Sequence, residues 1–204
     1  MDRIAHARID LRGLQLPGAH MVDAQLKGAS LDDCVLSSAC LAGAVLSDAH
    51  GSGVRLEGAD LRRADLRRAW LRQAVLSRAD LSQVQGAEAD LRQANLSEAN
   101  LFDAKLEAAY LSEADLSNAL LQRTVLRGAY LDYADLSGTD LQGADLTDVE
   151  MPGADLSGAD LTLARFQGAD LTEANLTGCI YTPQTFIGAN LTRAILPVGF
   201  HPAT

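Results

Sequence analysis

The sequence has 204 residues, a net charge of −10 and only 4% aromatic residues. Such an acidic chain is not expected to bind nucleic acid or anionic lipid directly, and it has no apolar run of 18 residues that could cross a membrane. The low aromatic content indicates a core built from something other than the Phe, Tyr and Trp on which ordinary cores rely.

Residues 1–8 precede the repetitive part of the chain and are predicted to form a short irregular N-terminal lead. Arg3 and Arg8 are not followed by a continuous apolar stretch, so no signal peptide is expected. With no export signal and only three cysteines, the predicted location is the reducing cytoplasm.

Residues 9–180 repeat with a period of five. Of the 38 positions at this spacing from Leu11 to Leu196, 31 are Leu. Of the 36 positions that run from Ala19 to Ala194, each two residues before a Leu position, 28 are Ala. A period of five gives an apolar face neither to an α-helix nor to a long strand. It fits a very short strand, Ala-x-Leu, followed by a corner that returns the next Ala and Leu to the inside.

Glycine marks the corner, because 14 of the 17 glycines lie two residues after a Leu position. Glycine supplies the positive φ that a type II turn requires. Four corners of about 90° close a coil of 20 residues, and successive coils then stack as parallel strands about 4.8 Å apart. The sequence therefore predicts an all-β chain, a parallel β-helix (β-solenoid) of about nine to ten coils, and parallel crossovers favour a right-handed wind.

Two glycines, Gly51 and Gly86, occupy Leu positions. Each removes a side chain from the core. Two interpretations stay open: a bend or binding notch in the solenoid, or a defect that the core tolerates.

No set of residues suggests catalysis, a cofactor or a metal. Asp or Asn precedes the Leu position at 16 places, and their regularity indicates turn-stabilising groups rather than acid–base pairs. The four histidines share no metal-ligand spacing. Cys34 and Cys179 occupy Ala positions and are expected in the core, whereas Cys40 is expected to point outward. We therefore expect a protein that is not an enzyme and that carries no cofactor.

Taking every twentieth residue gives the outward side chains of one face. One such column, called here the aromatic column, comprises His50, Trp70, Asp90, Tyr110, Tyr130, Glu150 and Asp170. Aromatic residues in line suit a partner interface, or they stack in a ladder that stiffens the solenoid. On the first interpretation the partner-binding candidates are Trp70, Tyr110, Tyr130 and the nearby Tyr133.

Charge is divided along the chain. Residues 55–78, the basic belt, hold seven arginines, whereas residues 129–175, the acidic half, hold ten acidic residues and one base, Arg165. Such runs are usually solvated surface, but an acidic rod of this kind could also imitate DNA. The candidate partner-binding acids are Asp135, Asp140, Asp145 and Asp155.

Residues 181–204 are irregular. Tyr181 and Phe186 replace Leu, and three prolines appear: Pro183, Pro197 and Pro202. An open solenoid edge invites association, so this segment is predicted to be a C-terminal cap. It is also the predicted homodimer surface, with Tyr181, Phe186 and Phe200 as its residues.

The repeats resemble those of the pentapeptide-repeat family, whose pattern is Ala, then Asp or Asn, then Leu, then two variable residues. Ala59–Arg63 (Ala-Asp-Leu-Arg-Arg) and Ala114–Asn118 (Ala-Asp-Leu-Ser-Asn) are examples, and the resemblance covers Ile9–Leu196. It implies a right-handed quadrilateral β-helix and a homodimer through the C-terminal end.

The resemblance also bears on function. Some members of that family act as DNA mimics that bind DNA gyrase or topoisomerase IV and protect them from quinolones or other poisons. Those protectors are richer in Phe at the centre of the repeat, where this sequence has only Phe166 and Phe186. Several of them also carry loops that interrupt the coils, for which the unbroken period of this sequence leaves no room. Two functions are thus expected: a rigid scaffold that docks a protein partner, or an acidic mimic that binds a type II topoisomerase.

Overall fold

The computed structural model describes residues 9–201, so the predicted lead at residues 1–8 lies outside the described part. Within residues 9–201 there is no α-helix, and each strand is a single bridging residue between two turns. The bridging residue is the central residue of Ala-x-Leu. It pairs in parallel with the residue 20 positions later, from Asp10 with Ser30 to Asn175 with Ile195. This register confirms the predicted β-solenoid, with four five-residue sides in each coil.

The coils are joined by a backbone ladder that uses both polar groups of each bridging residue. The Trp70 N–H donates to the carbonyl of Ala49 at 2.8 Å, and the Trp70 carbonyl accepts from the N–H of Gly51 at 2.8 Å. The same pair of bonds recurs down all four sides. Because the ladder satisfies the backbone at nearly every repeat, it holds successive coils together along the rod.

All but one of the corners form the same turn. The Ala N–H donates to the carbonyl of the Leu three residues earlier, as from Ala74 to Leu71 at 3.1 Å. The second corner residue has positive φ at 36 of the 37 positions from Gly13 to Arg193, and 22 of these residues are not glycine. One hydrogen bond with positive φ only at the second corner residue defines a type II turn, so the predicted corner geometry is confirmed.

The exception among the 37 corners is Pro183. Its ring holds φ near −65°, so it cannot take the left-handed conformation that the second corner residue needs. Consecutive turns over residues 183–188 replace the regular repeat, and among the described residues Arg165 has no bridging partner in the following coil. Pairing resumes at Asn190 and Ile195. By contrast, Pro17 and Pro152 occupy the first corner position, where φ is negative and Pro is favoured.

The core is a stack of Leu and Ala columns, almost all of them fully buried. Each buried Leu contributes roughly 1.5–3 kcal/mol. Gly51 and Gly86 are buried as well, and they leave no notch. The Leu71 side chain would meet a Cβ at position 51, and the Leu106 side chain would meet one at position 86. Leucines of the following coil thus fill the space, which favours the tolerated-defect interpretation.

Candidate partner-binding surfaces

The Asp and Asn side chains before the Leu positions serve the corners. Asp135 Oδ1 accepts a hydrogen bond from the backbone N–H of Ser137 at 2.9 Å, and Asp140 Oδ1 accepts one from Gln142 at 3.1 Å. The same bond, from the residue two positions later, recurs from the first coil to Asn190. Such Asx turns hold the first corner residue in place. The predicted turn-stabilising role is confirmed, and it applies to the acids that were candidates for partner binding.

The four candidate acids do not form one patch. Asp135 bridges Asp155 in one column, whereas Asp140 lies in a second column and Asp145 in a third. Different columns lie on different sides of the coil, so one flat partner surface cannot contact all four. Asp145 is also ion-paired with Arg165 at 2.7 Å. Burial raises the pKa of Asp145, but hydrogen bonds from Thr147 and the Arg165 charge outweigh it and leave the pKa lowered.

The basic belt is neutralised within the chain. Six of its seven arginines form ion pairs with described carboxylates, for example Arg62 with Asp60 at 2.7 Å and Arg72 with Asp90 at 2.7 Å. Arg63 is the remaining one. The belt is therefore not a free cationic surface.

The acidic half is left without such partners. Among the residues that the structure describes, two of its ten acidic side chains form ion pairs, Asp145 with Arg165 and Glu173 with Arg193. The other eight have no cationic partner within residues 9–201: Asp132, Asp135, Asp140, Asp148, Glu150, Asp155, Asp160 and Asp170. No described cation therefore neutralises the negative charge of these carboxylates.

The aromatic column forms as predicted. Its members bridge one another in succession, and the Tyr110 and Tyr130 rings stack with centroids 5.2 Å apart and planes inclined by 6°. Trp70 stands apart from this pair, as expected, because Asp90 lies between them. Trp70 is 56% exposed and packs against His50, with ring centroids 5.1 Å apart. The contact between His50 and Trp70 was not predicted, although their 20-residue spacing places them in adjacent coils of the same column.

Arg92 joins the two halves of the column. Its guanidinium binds both carboxylate oxygens of Asp90, at 2.8 and 2.7 Å, and lies 5.5 Å from the centroid of the Tyr110 ring. Arg72 reaches the same Asp90 from the preceding coil at 2.7 Å. These contacts were not predicted from the sequence. The sequence feature that predicts them is a spacing of 2 or 18 residues between a corner arginine and an outward carboxylate. In a coil of 20 residues, both spacings bring the two side chains close together.

Tyr133 extends the aromatic surface onto the neighbouring corner. It is 69% exposed, and its ring occupies the space where a Cβ of Gly153 in the next coil would lie. Because Gly153 has no side chain, it leaves the space that this ring occupies. Together with Tyr110, which is 40% exposed, it gives this side of the solenoid an accessible aromatic surface.

The three candidate dimer residues form part of a C-terminal aromatic cluster. The Phe186 ring packs against Phe166 at 5.4 Å, Tyr181 at 5.7 Å and Phe200 at 6.0 Å. Phe186 is only 8% exposed, so it lies inside the cap and not on its surface. Tyr181 and Phe200 are half-buried against it. Aliphatic side chains are exposed around this end instead: Leu163, Ile180, Ile187, Ile195, Leu196 and Val198.

Of the cysteines, Cys34 and Cys179 are buried and Cys40 is half-buried, as expected, and none forms a disulfide. Across residues 9–201 no group of three His, Cys, Asp or Glu side chains is placed to hold a metal ion. The same residues contain no helix that is long and apolar enough to cross a membrane.

Comparison with known structures gives the same architecture. The chain is 34% identical to HetL of the cyanobacterium Nostoc sp. strain PCC 7120, a pentapeptide repeat protein involved in the regulation of heterocyst differentiation. That match covers 95% of this chain and 91% of HetL, with a TM-score of 0.56. The chain is also similar in fold to QnrB1, a plasmid-mediated fluoroquinolone resistance protein, at 21% identity and a TM-score of 0.53 over 90% of this chain and 91% of QnrB1.

A comparison with curated proteins returned no match. The family model for pentapeptide repeats matches eight copies, over residues 29–68, 69–107, 109–148 and 143–178. The repeated turn, the 20-residue register and the extent of this match show that the chain belongs to the pentapeptide-repeat family.

Proposed function

We propose that this protein is a non-enzymatic, rigid scaffold that binds a protein partner through the outer faces of a right-handed, quadrilateral solenoid of about nine to ten coils. The observation that carries the proposal is the exposure of Trp70, Tyr110 and Tyr133 along one side. Large aromatic side chains are enriched at the centres of protein interfaces. The continuous backbone ladder supports the rigid part of the proposal, since it presents these side chains on a preorganised surface.

The test separates an interface from a stiffening ladder. Tyr110→Ser with Tyr130→Ser removes the stacked pair, and affinity capture from an extract of the source cells, followed by a titration with the captured partner, measures binding. An interface predicts at least a tenfold loss of affinity with little change in melting temperature. A stiffening ladder predicts a loss of about 0.5–1.5 kcal/mol in stability with normal binding, and that result would refute the proposal. Val75→Ser with Val125→Ser, at outward positions of other columns, is the matched control.

A second candidate function is an acidic DNA mimic that binds DNA gyrase or topoisomerase IV. The observation in its favour is the set of eight carboxylates in the acidic half that have no cationic partner among the described residues. The placement of Asp135, Asp140 and Asp145 on three sides limits how many of them one enzyme surface could meet.

The test is a supercoiling assay with gyrase in the presence of a quinolone. A mimic is expected to inhibit or protect the enzyme, and the effect should fade as salt rises. Asp135→Asn with Asp155→Asn removes two charges and keeps the oxygen that holds each corner. Protection that survives this change, or no effect of the native protein on either topoisomerase, would leave only the scaffold.

We further propose that the protein is a homodimer joined at its C-terminal end and located in the cytoplasm. The exposed aliphatic side chains of the last coil support the first proposal, since apolar patches of this kind mark protein interfaces. The three unpaired cysteines support the second. Light scattering at micromolar concentration tests the dimer, and a mass of 21.6 kDa would contradict it.

A further inference from the structure

The aromatic column contains one arginine site that the chain fills itself. Arg92 lies over one face of the Tyr110 ring and binds the Asp90 carboxylate, the outward neighbour of Tyr110 in the preceding coil. A guanidinium between a ring face and a carboxylate gains both a cation–π contact and a bidentate ion pair. The opposite face of Tyr110 is covered by the stacked Tyr130 ring.

The same pair of groups recurs at the other end of the stack without an arginine. The outward neighbour of Tyr130 in the following coil is Glu150, an exposed carboxylate. Among the described residues Glu150 has no cationic partner, and no guanidinium lies over the Tyr130 ring. The corner after Glu150 is Pro152 and Gly153, and neither carries a charge that could fill the position as Arg92 does.

From this repetition we propose that Tyr130 and Glu150 form a binding site for an arginine side chain of a protein partner. The proposal rests on the aromatic column being the docking surface and names the chemistry of what docks there. Charge complementarity supports it, because three more acidic residues lie near the site in the chain or the ladder. Asp132 is two residues after Tyr130, Asp148 is two residues before Glu150, and Asp170 pairs with Glu150 in the following coil. None of the three is ion-paired with a described cation. A planar guanidinium is preferred to the compact ammonium of lysine, since it both stacks on a ring and binds a carboxylate through two donors.

The experiment titrates isotope-labelled protein with N-acetylarginine amide at low salt and follows the backbone amide and tyrosine ring signals by NMR. The expected result is a saturable shift at Tyr130 and Glu150. The affinity should be at least about threefold tighter for arginine amide than for N-acetyllysine amide. Glu150→Gln should weaken arginine binding about fivefold, whereas Glu88→Gln, at an exposed corner outside the aromatic column, should leave it unchanged.

Two results would overturn the site. One is equal affinity for the arginine and lysine amides, which would indicate general attraction to an acidic surface. The other is arginine binding that Glu150→Gln and Glu88→Gln reduce equally. If arginine amide binds as expected but no partner needs the tyrosines, the scaffold proposal fails and the arginine site stands. If a captured partner needs the tyrosines but tolerates Glu150→Gln and the removal of each of its own exposed arginines, the arginine site fails and the scaffold stands.

Discussion

The corners of residues 63–123 and those of residues 128–178 reach the same positive φ with different types of residue. All 13 second corner residues of the first region carry side chains, yet φ is close to +60° at each. In the second region seven of the 11 are glycine. A side chain in the left-handed conformation costs roughly 1–2 kcal/mol, so the first region carries this strain at all 13 corners and the second region at only four.

What the first region gains is contact between coils. Gln73 donates to Gln93 at 3.1 Å, Gln93 donates to Glu113 at 2.9 Å, and Arg78 binds Glu98 at 3.1 Å. In the second region, side chains of the preceding coil instead occupy the space that a Cβ would fill at a glycine. Tyr133 does so at Gly153 and Asp148 at Gly168. The middle of the rod thus pairs its corner side chains between coils, whereas most carboxylates of the acidic half have no cationic partner among the described residues.

The largest expected effect comes from placing proline at a corner of the first region. Glu88 has φ of +59° and its N–H donates to the Glu107 carbonyl at 3.0 Å. Glu88→Pro can keep neither, so it should cost more than about 3 kcal/mol and disrupt the coil as Pro183 does. Ala87→Pro, at the first corner position, should change stability by less than about 1 kcal/mol. Urea unfolding measures both, and equal losses would contradict the turn geometry described here.

That contrast also shows how far the sequence could predict the fold. The period of five predicted the buried columns, the 20-residue register and the positive φ, because each follows from one repeated constraint. The three prolines of the C-terminal segment predict irregularity without showing which of them causes it. Pro183 disrupts the repeat because it stands at the corner position where φ must be positive. The burial of Phe186 was missed because its ring contacts depend on the irregular path of residues 183–188.

The candidate site was predicted less completely. The columns follow from the period, so the stacking of Tyr110 on Tyr130 was predictable. The ion pairs were not, because a corner arginine has carboxylates within reach at several spacings. Arg62 pairs with Asp60 in its own repeat, Arg68 with Asp48 in the preceding coil, and the choice depends on side-chain conformation.

The next effect concerns a glycine whose missing side chain leaves room for a side chain of the preceding coil. Gly128→Ala places a methyl group in open space and should cost about 1–2 kcal/mol from backbone strain alone. At Gly168 the Asp148 carboxylate occupies the position of the new methyl group, so Gly168→Ala should cost about 2–3 kcal/mol. Urea unfolding of the two variants gives the difference. Equal losses would mean that Asp148 moves away freely and that its contact with Gly168 does not contribute to the free energy of unfolding.

A smaller effect is expected from acid, and it lies in the basic belt. The hydrogen bond from Arg62 lowers the pKa of Asp60, and the one from Arg67 lowers the pKa of Asp65, against a smaller opposing effect of burial. A carboxyl whose pKa is lower in the folded state stabilises the fold above its unfolded pKa, near 4, and this is lost as pH falls further. Each pair should contribute no more than about 1 kcal/mol.

Thermal melts between pH 7 and pH 2 measure this loss. Asp60→Asn with Asp65→Asn keeps the corner acceptors and should flatten the acid limb of the stability curve, and Arg62→Gln with Arg67→Gln should flatten it similarly. An acid limb as steep as that of the native protein in both double variants would show that the belt pairs do not stabilise the fold.

The smallest effect tests whether contact between coils compensates corner strain in the first region. Gln93 accepts a hydrogen bond from Gln73 and donates one to Glu113, whereas Gln83, at nearly the same φ, has no side-chain hydrogen bond to any described residue. Alanine keeps the left-handed backbone strain and removes only the side-chain bonds. Because these bonds are exposed, Gln93→Ala should cost about 0.5–1 kcal/mol and Gln83→Ala close to nothing. Urea unfolding in parallel resolves the difference. If the two variants are equally stable, the middle corners gain nothing from their side chains, and the contrast with the glycine corners is one of surface chemistry alone.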